Sequence, residues 1–157
     1  GEICVFTPAN ACGYWNCPEE TAETFRDGWV YTGDAGYQDE EDFLYVVDRI
    51  KDIIIRGGEN ISCLEVEAAL YAHEDIAEVA VFSLPDERLG EIVGAALSVS
   101  PGCGLDSGQV QEFLASRLAA FKVPVHIWFQ EEPLPRIAAG KIAKKQLRSE
   151  MIERLEL

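Results

Sequence analysis

The sequence predicts an α+β protein in two parts, a short β-rich segment followed by a compact unit in which helices and strands alternate. Three observations predict it. Up to Val47 the apolar residues fall in short extended runs around a single helical stretch. Beyond Asp52 the hydrophobic periodicity strengthens and switches repeatedly between helical and extended spacing. Glycine and proline turn signals separate the runs, with no internal repeat, low-complexity tract or long linker.

In chain order, Ile3 to Phe6 reads as extended, and Pro18 to Phe25 as a helix with proline in its first turn, where the missing N–H costs nothing. Trp29 to Tyr31 is extended, and Asp39-Glu40-Glu41-Asp42 makes a turn before an extended Phe43 to Val47. So few strands bury too little to stand alone, so this segment needs further residues to cover it.

Ser62 and Glu65 have capping-box spacing, which starts a helix at Cys63 that turns Val66, Ala69 and Leu70 to one side and ends near Ala72 or His73. Ile76 to Leu84 and Ile92 to Val99 are strands separated by Pro85-Asp86 and Gly90. Asp106 caps a second helix with Gln109 three residues on, and Val110, Phe113, Leu114, Leu118 and Phe121 form one buried stripe. Val125 to Phe129 is a third strand. Lys144 to about Leu155 is a third helix of this part, with Leu147, Met151 and Leu155 inward.

With 157 residues, 28 acidic against 13 basic side chains and a formal charge of -15, the chain is poorly suited to a nucleic-acid surface. Arg136, Lys141, Lys144, Lys145 and Arg148 form one basic cluster that could steer a phosphate-bearing ligand, or simply a solvated helix face. Five cysteines show no Cys-x-x-Cys pair and no histidine beside them, which predicts reduced, structural thiols and no metal site. The odd count, and the lack of a signal-like N-terminus or a membrane-length apolar run, predict a cytoplasmic protein; peripheral membrane association of a longer parent stays open.

Four short strings carry the chemistry. Asp34, in Thr32-Gly33-Asp34, sits between extended segments, where its carboxylate can accept from two adjacent hydroxyls of the kind a ribose presents or close an Asx turn. Arg49, in Asp48-Arg49-Ile50-Lys51-Asp52, offers a rigid fork of donors, or a surface ion pair with Asp48 or Asp52. Arg56-Gly57-Gly58-Glu59-Asn60 leaves two residues without side chains, suited to a narrow passage or to a glycine turn joining two strands. In Pro135-Arg136-Ile137-Ala138-Ala139-Gly140-Lys141-Ile142, a glycine allows close approach and Lys141 supplies a compact point charge. The last string is not a Walker A loop, because Ile142 stands where Ser or Thr is required.

In this order the four strings resemble the adenylate-forming superfamily, which comprises acyl-CoA synthetases, luciferase-like enzymes and peptide-synthetase adenylation domains. Gly13 to Thr21 is similar to a further family segment, Gly-Tyr-Trp-Asn-x-Pro-Glu-x-Thr, whose Tyr14 and Trp15 read as packing residues. The resemblance covers nearly the whole chain but only the last third or so of such an enzyme, so the chain is expected to be a fragment. It implies that residues 1–48 are the tail of a large N-terminal domain, 49–52 a hinge, and 53–157 a small mobile C-terminal domain with a three-stranded sheet and packed helices.

By the same resemblance Lys141 is the catalytic lysine of adenylation, Asp34 and Arg49 bind the nucleotide ribose, and Lys51 is the hinge residue. Gly57, Gly58 and Glu59 line the passage for CoA or another pantetheine. The implied activity of the complete enzyme is ATP-dependent acyl-CoA synthesis, with Mg²⁺, ATP, CoA and a carboxylic, preferably fatty, acid as partners. The missing N-terminal domain is a further partner, and the fragment alone is expected to be inactive. The Arg-Gly-Gly-Glu-Asn form is most similar to fatty-acyl and related acyl-CoA synthetases. Alternatives are a non-catalytic docking or dimerisation module, with a homodimer through an exposed edge around Val5, Trp29 and Tyr31, a carrier-protein-loading adenylation domain, or a luciferase-like enzyme. The sequence departs from the family at Asp42, where a turn glycine is common, at Cys63, where proline often starts the helix, and at Ala120, another frequent proline.

Overall fold

The structure, a computed structural model, describes residues 1–156. The chain divides into two compact units, Gly1–Lys51 and Asp52–Leu157.

The first unit holds strands β1 (Glu2–Phe6), β2 (Phe25–Arg26), β3 (Trp29–Gln38) and β4 (Leu44–Arg49), with helix α1 (Pro18–Thr24) between β1 and β2. All pairings are antiparallel: β1 lies along one edge of β3, while β2 and β4 occupy the two ends of the other edge. The strand at Trp29 is longer than expected. It runs through Thr32-Gly33-Asp34, where Asp34 pairs with Arg49 on one edge while the register with β1 slips between Cys4↔Tyr31 and Glu2↔Ala35 on the other; the string is thus an irregular strand segment, and a second irregularity follows at Ala35/Gly36. At the slip, Gly33 takes φ 72° and donates its amide to Glu2 Oε1 at 3.0 Å, while the Asp34 amide donates to Thr32 Oγ1 at 3.1 Å, so side-chain oxygens supply the backbone partners that the ladder does not.

The acidic turn forms as expected, with Asp39 Oδ1 accepting from the amides of Glu41 and Phe43 at 2.9 Å each. Asp42 adopts φ 66° there, a left-handed position that glycine occupies at less cost.

Among the described residues the first unit has no buried apolar side chain; its one buried residue is Asp48. Phe6, Phe43, Leu44 and Val46 are more than half exposed, and Trp15 is 97% exposed. The expectation that Trp15 packs is therefore wrong for this chain, although Tyr14 does meet the edge of Phe25 at 5.5 Å. Four strands and a seven-residue helix without a covered apolar face do not stabilise a domain by themselves.

The second unit is built on a five-stranded sheet, two strands more than expected. Its strands are β5 (Ile54–Arg56), β6 (Glu59–Ile61), β7 (Ile76–Asp86), β8 (Gly90–Val99) and β9 (His126–Gln130). The long β7–β8 hairpin is its spine. β5 and β9 share the other edge of β8, and β9 runs parallel to β8 while every other pairing is antiparallel.

Alternation along the spine sends side chains to two faces. On one face Val79, Val81, Val93, Ala95 and Leu97 pack under α2 (Cys63–Tyr71) and α3 (Ser107–Ala115) through Val66, Leu70, Val110 and Leu114. On the other, Ala80, Phe82, Leu84 and Ala96 pack under α4 (Lys144–Leu155) through Leu147 and Met151. Each Val, Leu, Phe or Met among them contributes about 1.5–3 kcal/mol when fully covered, which makes this unit the stable body of the chain.

The cap at α3 is complete: Asp106 accepts from the Gln109 amide and Gln109 returns the bond, both at 2.9 Å. At α2, Ser62 Oγ accepts from the Glu65 amide at 3.2 Å, while the Glu65 carboxylate is engaged by Lys122 Nζ at 2.6 and 2.7 Å. Helix α3 ends at Ala115, so Leu118 and Phe121 reach the core from the following segment rather than from the helix itself.

Candidate functional site

Asp34 and Arg49 are directly opposed residues of β3 and β4. Arg49 Nε lies 3.0 Å from Asp34 Oδ1, and Arg49 Nη1 donates to the Thr32 carbonyl at 2.9 Å. The arginine thus pairs with Asp34 rather than with Asp48 or Asp52. Asp48 is instead buried, with its Oδ1 accepting from the Arg49 amide at 2.7 Å. The Asp34 side chain keeps 33% exposure, so part of its carboxylate remains available to hydroxyl donors while the arginine holds its rotamer. Lys51 follows in a short 3₁₀ turn, Ile50–Asp52, with its side chain exposed.

In the second unit Gly57 and Gly58 form the two-residue turn of the β5–β6 hairpin, closed by the pair Arg56↔Glu59. Both glycines have positive φ, 59° and 93°, the backbone that a two-residue hairpin favours because its twist matches the strands. The reading of this string as a glycine turn joining two strands is thus its local conformation. The turn is docked: the Gly57 amide donates to the Leu89 carbonyl at 2.8 Å, and the Leu89 amide to Asp86 Oδ1, also at 2.8 Å. That bond is the main cause holding the Asp86 carboxyl below its ordinary value. A Cβ at Gly58 would meet open space, so this side of the turn presents bare backbone outward.

Lys141 lies on a tight turn before α4. The Gly140 amide donates to the Ile137 carbonyl and the Ile137 amide to the Lys141 carbonyl, both at 2.9 Å, with Gly140 at φ 81°. Arg136 and Ile142 form a bridge at the base of the turn, and the Ala143 amide donates to Pro135 O at 2.7 Å. The Lys141 side chain is exposed and, among the described residues, has no ion-pair or hydrogen-bond partner.

The rest of the basic cluster is mostly occupied. Arg136 is bound to Glu78, Lys144 Nζ lies 2.7 Å from Glu67 Oε1, and Arg148 Nε donates to the Ser83 carbonyl at 2.7 Å. Burial lowers the Lys144 pKa, but the hydrogen bond and charge of Glu67 outweigh it and hold the amine above its ordinary value. The cluster is therefore not one open patch; Lys141 and Lys145 are its exposed ammonium groups. Glu67 and Glu78 could not be anticipated as partners, because they lie 77 and 58 residues from the cations they meet.

No group of three or more His, Cys, Asp or Glu side chains among the described residues converges on a metal-sized site. His73 accepts from the Asp75 amide at 3.2 Å and lies edge-on to Phe113, a packing role.

A family model described as the AMP-binding enzyme C-terminal domain matches residues 65–141, the span that ends on the exposed lysine. The chain belongs to the adenylate-forming, AMP-binding enzymes. It is 50% identical over 98% of its length to a long-chain-fatty-acid–CoA ligase of Bacillus subtilis, and 44% identical over 94% to a fatty acid–[acyl-carrier-protein] ligase of Streptomyces coeruleorubidus. It spans 27% and 28% of those two proteins. Among solved structures, the o-succinylbenzoate CoA synthetase of Bacillus subtilis in complex with its acyl-adenylate intermediate superposes with a TM-score of 0.85 and 38% identity. The match covers 94% of this chain and 30% of that one. The mixed α+β architecture of the AMP-binding C-terminal domain is therefore the fold of this chain, and Lys141 is the last residue of its matched segment.

Proposed function

We propose that this chain is part of an ATP-dependent acyl-CoA synthetase that activates a carboxylic acid, most simply a fatty acid, as its adenylate and passes the acyl group to CoA. In the first half-reaction a carboxylate oxygen attacks the α-phosphorus of ATP, and the bond to pyrophosphate breaks. In the second, the CoA sulfur attacks the acyl carbon and AMP leaves. The first step joins two anions, so a positioned cation lowers its barrier most.

One observation supports this reading above the others: Lys141 holds a bare ammonium on a turn whose backbone is fixed. Asp34, held by Arg49, suits the ribose hydroxyls, and the outward backbone at Gly57-Gly58 suits a pantetheine arm. Rotation at Lys51 between the half-reactions follows from the family resemblance. Mg²⁺ would accompany ATP in the complete enzyme; among the described residues no group of three or more His, Cys, Asp or Glu side chains converges to hold it. On this reading the acyl and adenine sites belong to the rest of the complete enzyme, so that the isolated chain is inactive, and the complete enzyme is cytoplasmic.

The experiment is product analysis of the full-length protein with ATP, CoA and a panel of fatty acids. The reading requires acid-dependent release of AMP and pyrophosphate together with an acyl-CoA. Release of ADP, or acyl transfer to a carrier protein but not to CoA, contradicts it.

A second reading rests on the exposed apolar side chains of the first unit, among them Val5 and Trp29 at 43% each. Such a face is covered by a missing domain or by a second copy of the chain. Tyr31 weakens the homodimer version, since it is half-buried beneath the Arg26 guanidinium, 3.6 Å from its ring centre. Light scattering distinguishes the two.

A further inference from the structure

We infer that Arg136 is a positioning residue for Lys141, and that it acts through the carbonyl of Gly140 as the middle member of a relay from Glu78. The inference rests on the role proposed above for Lys141. Glu78 stands on β7, at the edge of the spine of the second unit. One of its oxygens binds the Arg136 guanidinium, and the other accepts from the Leu134 amide at 2.6 Å. Leu134 is itself buried in the core beneath α4. The carboxylate therefore anchors the chain at the entrance to the lysine turn twice, once by main chain and once by side chain.

Arg136 uses a second nitrogen differently. Its Nη1 donates to the Gly140 carbonyl at 2.7 Å, across the turn and one residue before Lys141. That bond fixes the peptide plane joining Gly140 to Lys141, and so the direction in which the lysine leaves the backbone. The planar fork of arginine makes this possible, since two donors at fixed geometry connect a carboxylate to a carbonyl in one step. A lysine has one nitrogen and cannot hold both partners in that geometry.

The far side of the turn is fixed as well, by Lys144 on Glu67, whose carboxylate also accepts from the Val81 amide at 2.8 Å. The exposed ammonium thus stands between two ion pairs, each rooted in the packed body of its own unit. The turn contributes no buried side chain between Arg136 and Lys141. Its order depends on these polar contacts together with the main-chain bonds of the turn itself, and an ammonium that must meet developing charge loses rate steeply when displaced.

A double-mutant cycle tests this in the full-length protein, measured separately for adenylate formation and for thioester formation from supplied acyl-adenylate. Arg136→Gln is expected to lower kcat for adenylation by about tenfold, with the KM for ATP and the thioester half-reaction within about twofold of wild type. Added to Lys141→Ala, it is expected to cost nothing further, because its only effect passes through that amine. Losses that multiply in the double variant, or an equal fall in both half-reactions, overturn the positioning role while leaving Lys141 in place. A Lys141→Ala variant that spares adenylation overturns the underlying reading, and the relay with it. Should Arg136→Gln not fold, Arg136→Lys carries the same test with the same pattern expected.

Discussion

Arg49 reaches from β4 to β3 and makes two contacts there, an ion pair of 3.0 Å with Asp34 and a bond to the Thr32 carbonyl two residues before it. The pair is partly exposed, and pairs of that kind contribute only about 0.2–1 kcal/mol to stability. Its value lies in holding a carboxylate still. Arg49→Met in the full-length protein is therefore expected to shift the urea midpoint little, yet to raise the KM for ATP about tenfold, the loss of an ordinary charge-assisted contact. Steady-state kinetics beside urea unfolding separates the two, and a large stability loss without a change in KM rejects the ligand role.

The Gly57-Gly58 turn makes a second expectation. Gly58→Ala meets no steric obstacle, but places a side chain at φ 93°, which costs about 1–2 kcal/mol, and lays a methyl on the outward backbone. Thioester formation from supplied acyl-adenylate should slow more than adenylation. A variant slowed only in adenylation excludes the pantetheine passage from this turn.

Glu67 and Lys144 link α2 to the start of α4, with side-chain exposures of 11% and 28%. Lys144 is held above its ordinary pKa, so the stabilisation is complete below the unfolded-state value near 10.4 and is lost as pH rises through the folded-state value. Stability should thus decline in strongly alkaline solution, and Lys144→Met should remove that component. At neutral pH the same substitution leaves a largely buried carboxylate without its cation and should cost about 2 kcal/mol or more. Urea unfolding of the full chain at neutral and alkaline pH reads both; a Lys144→Met profile parallel to wild type excludes the pair as the source.

These contacts also mark how far the sequence could be read. Elements whose signals are local were legible: the Asp106–Gln109 cap, the alternating spine strands, and α4 with Leu147 and Met151 inward. The hairpin of β5 and β6 was legible only as one of two readings of Gly57-Gly58, because strands of three residues carry no measurable alternation and two adjacent glycines suit a loop equally well. The continuity of β3 through Gly33 was hidden for a related reason, since it depends on partners as distant as Glu2 and Arg49. Of the site, the exposed lysine and the Asp34 and Arg49 positions were legible as family motifs. That Asp34 and Arg49 touch, and that Arg136 serves the turn rather than the surface, depends on residues brought together only by folding.

The central claim is that the Lys141 ammonium assists the attack of a carboxylate on ATP and has no part in thioester formation. Single-turnover kinetics of the full-length Lys141→Ala variant tests it most directly, with adenylate formation and CoA transfer from preformed acyl-adenylate followed in separate reactions. Adenylation is expected to fall by a factor on the order of 10² to 10³, and CoA transfer to stay within about twofold. Equal loss in both reactions, or adenylation that persists at the wild-type rate, contradicts it.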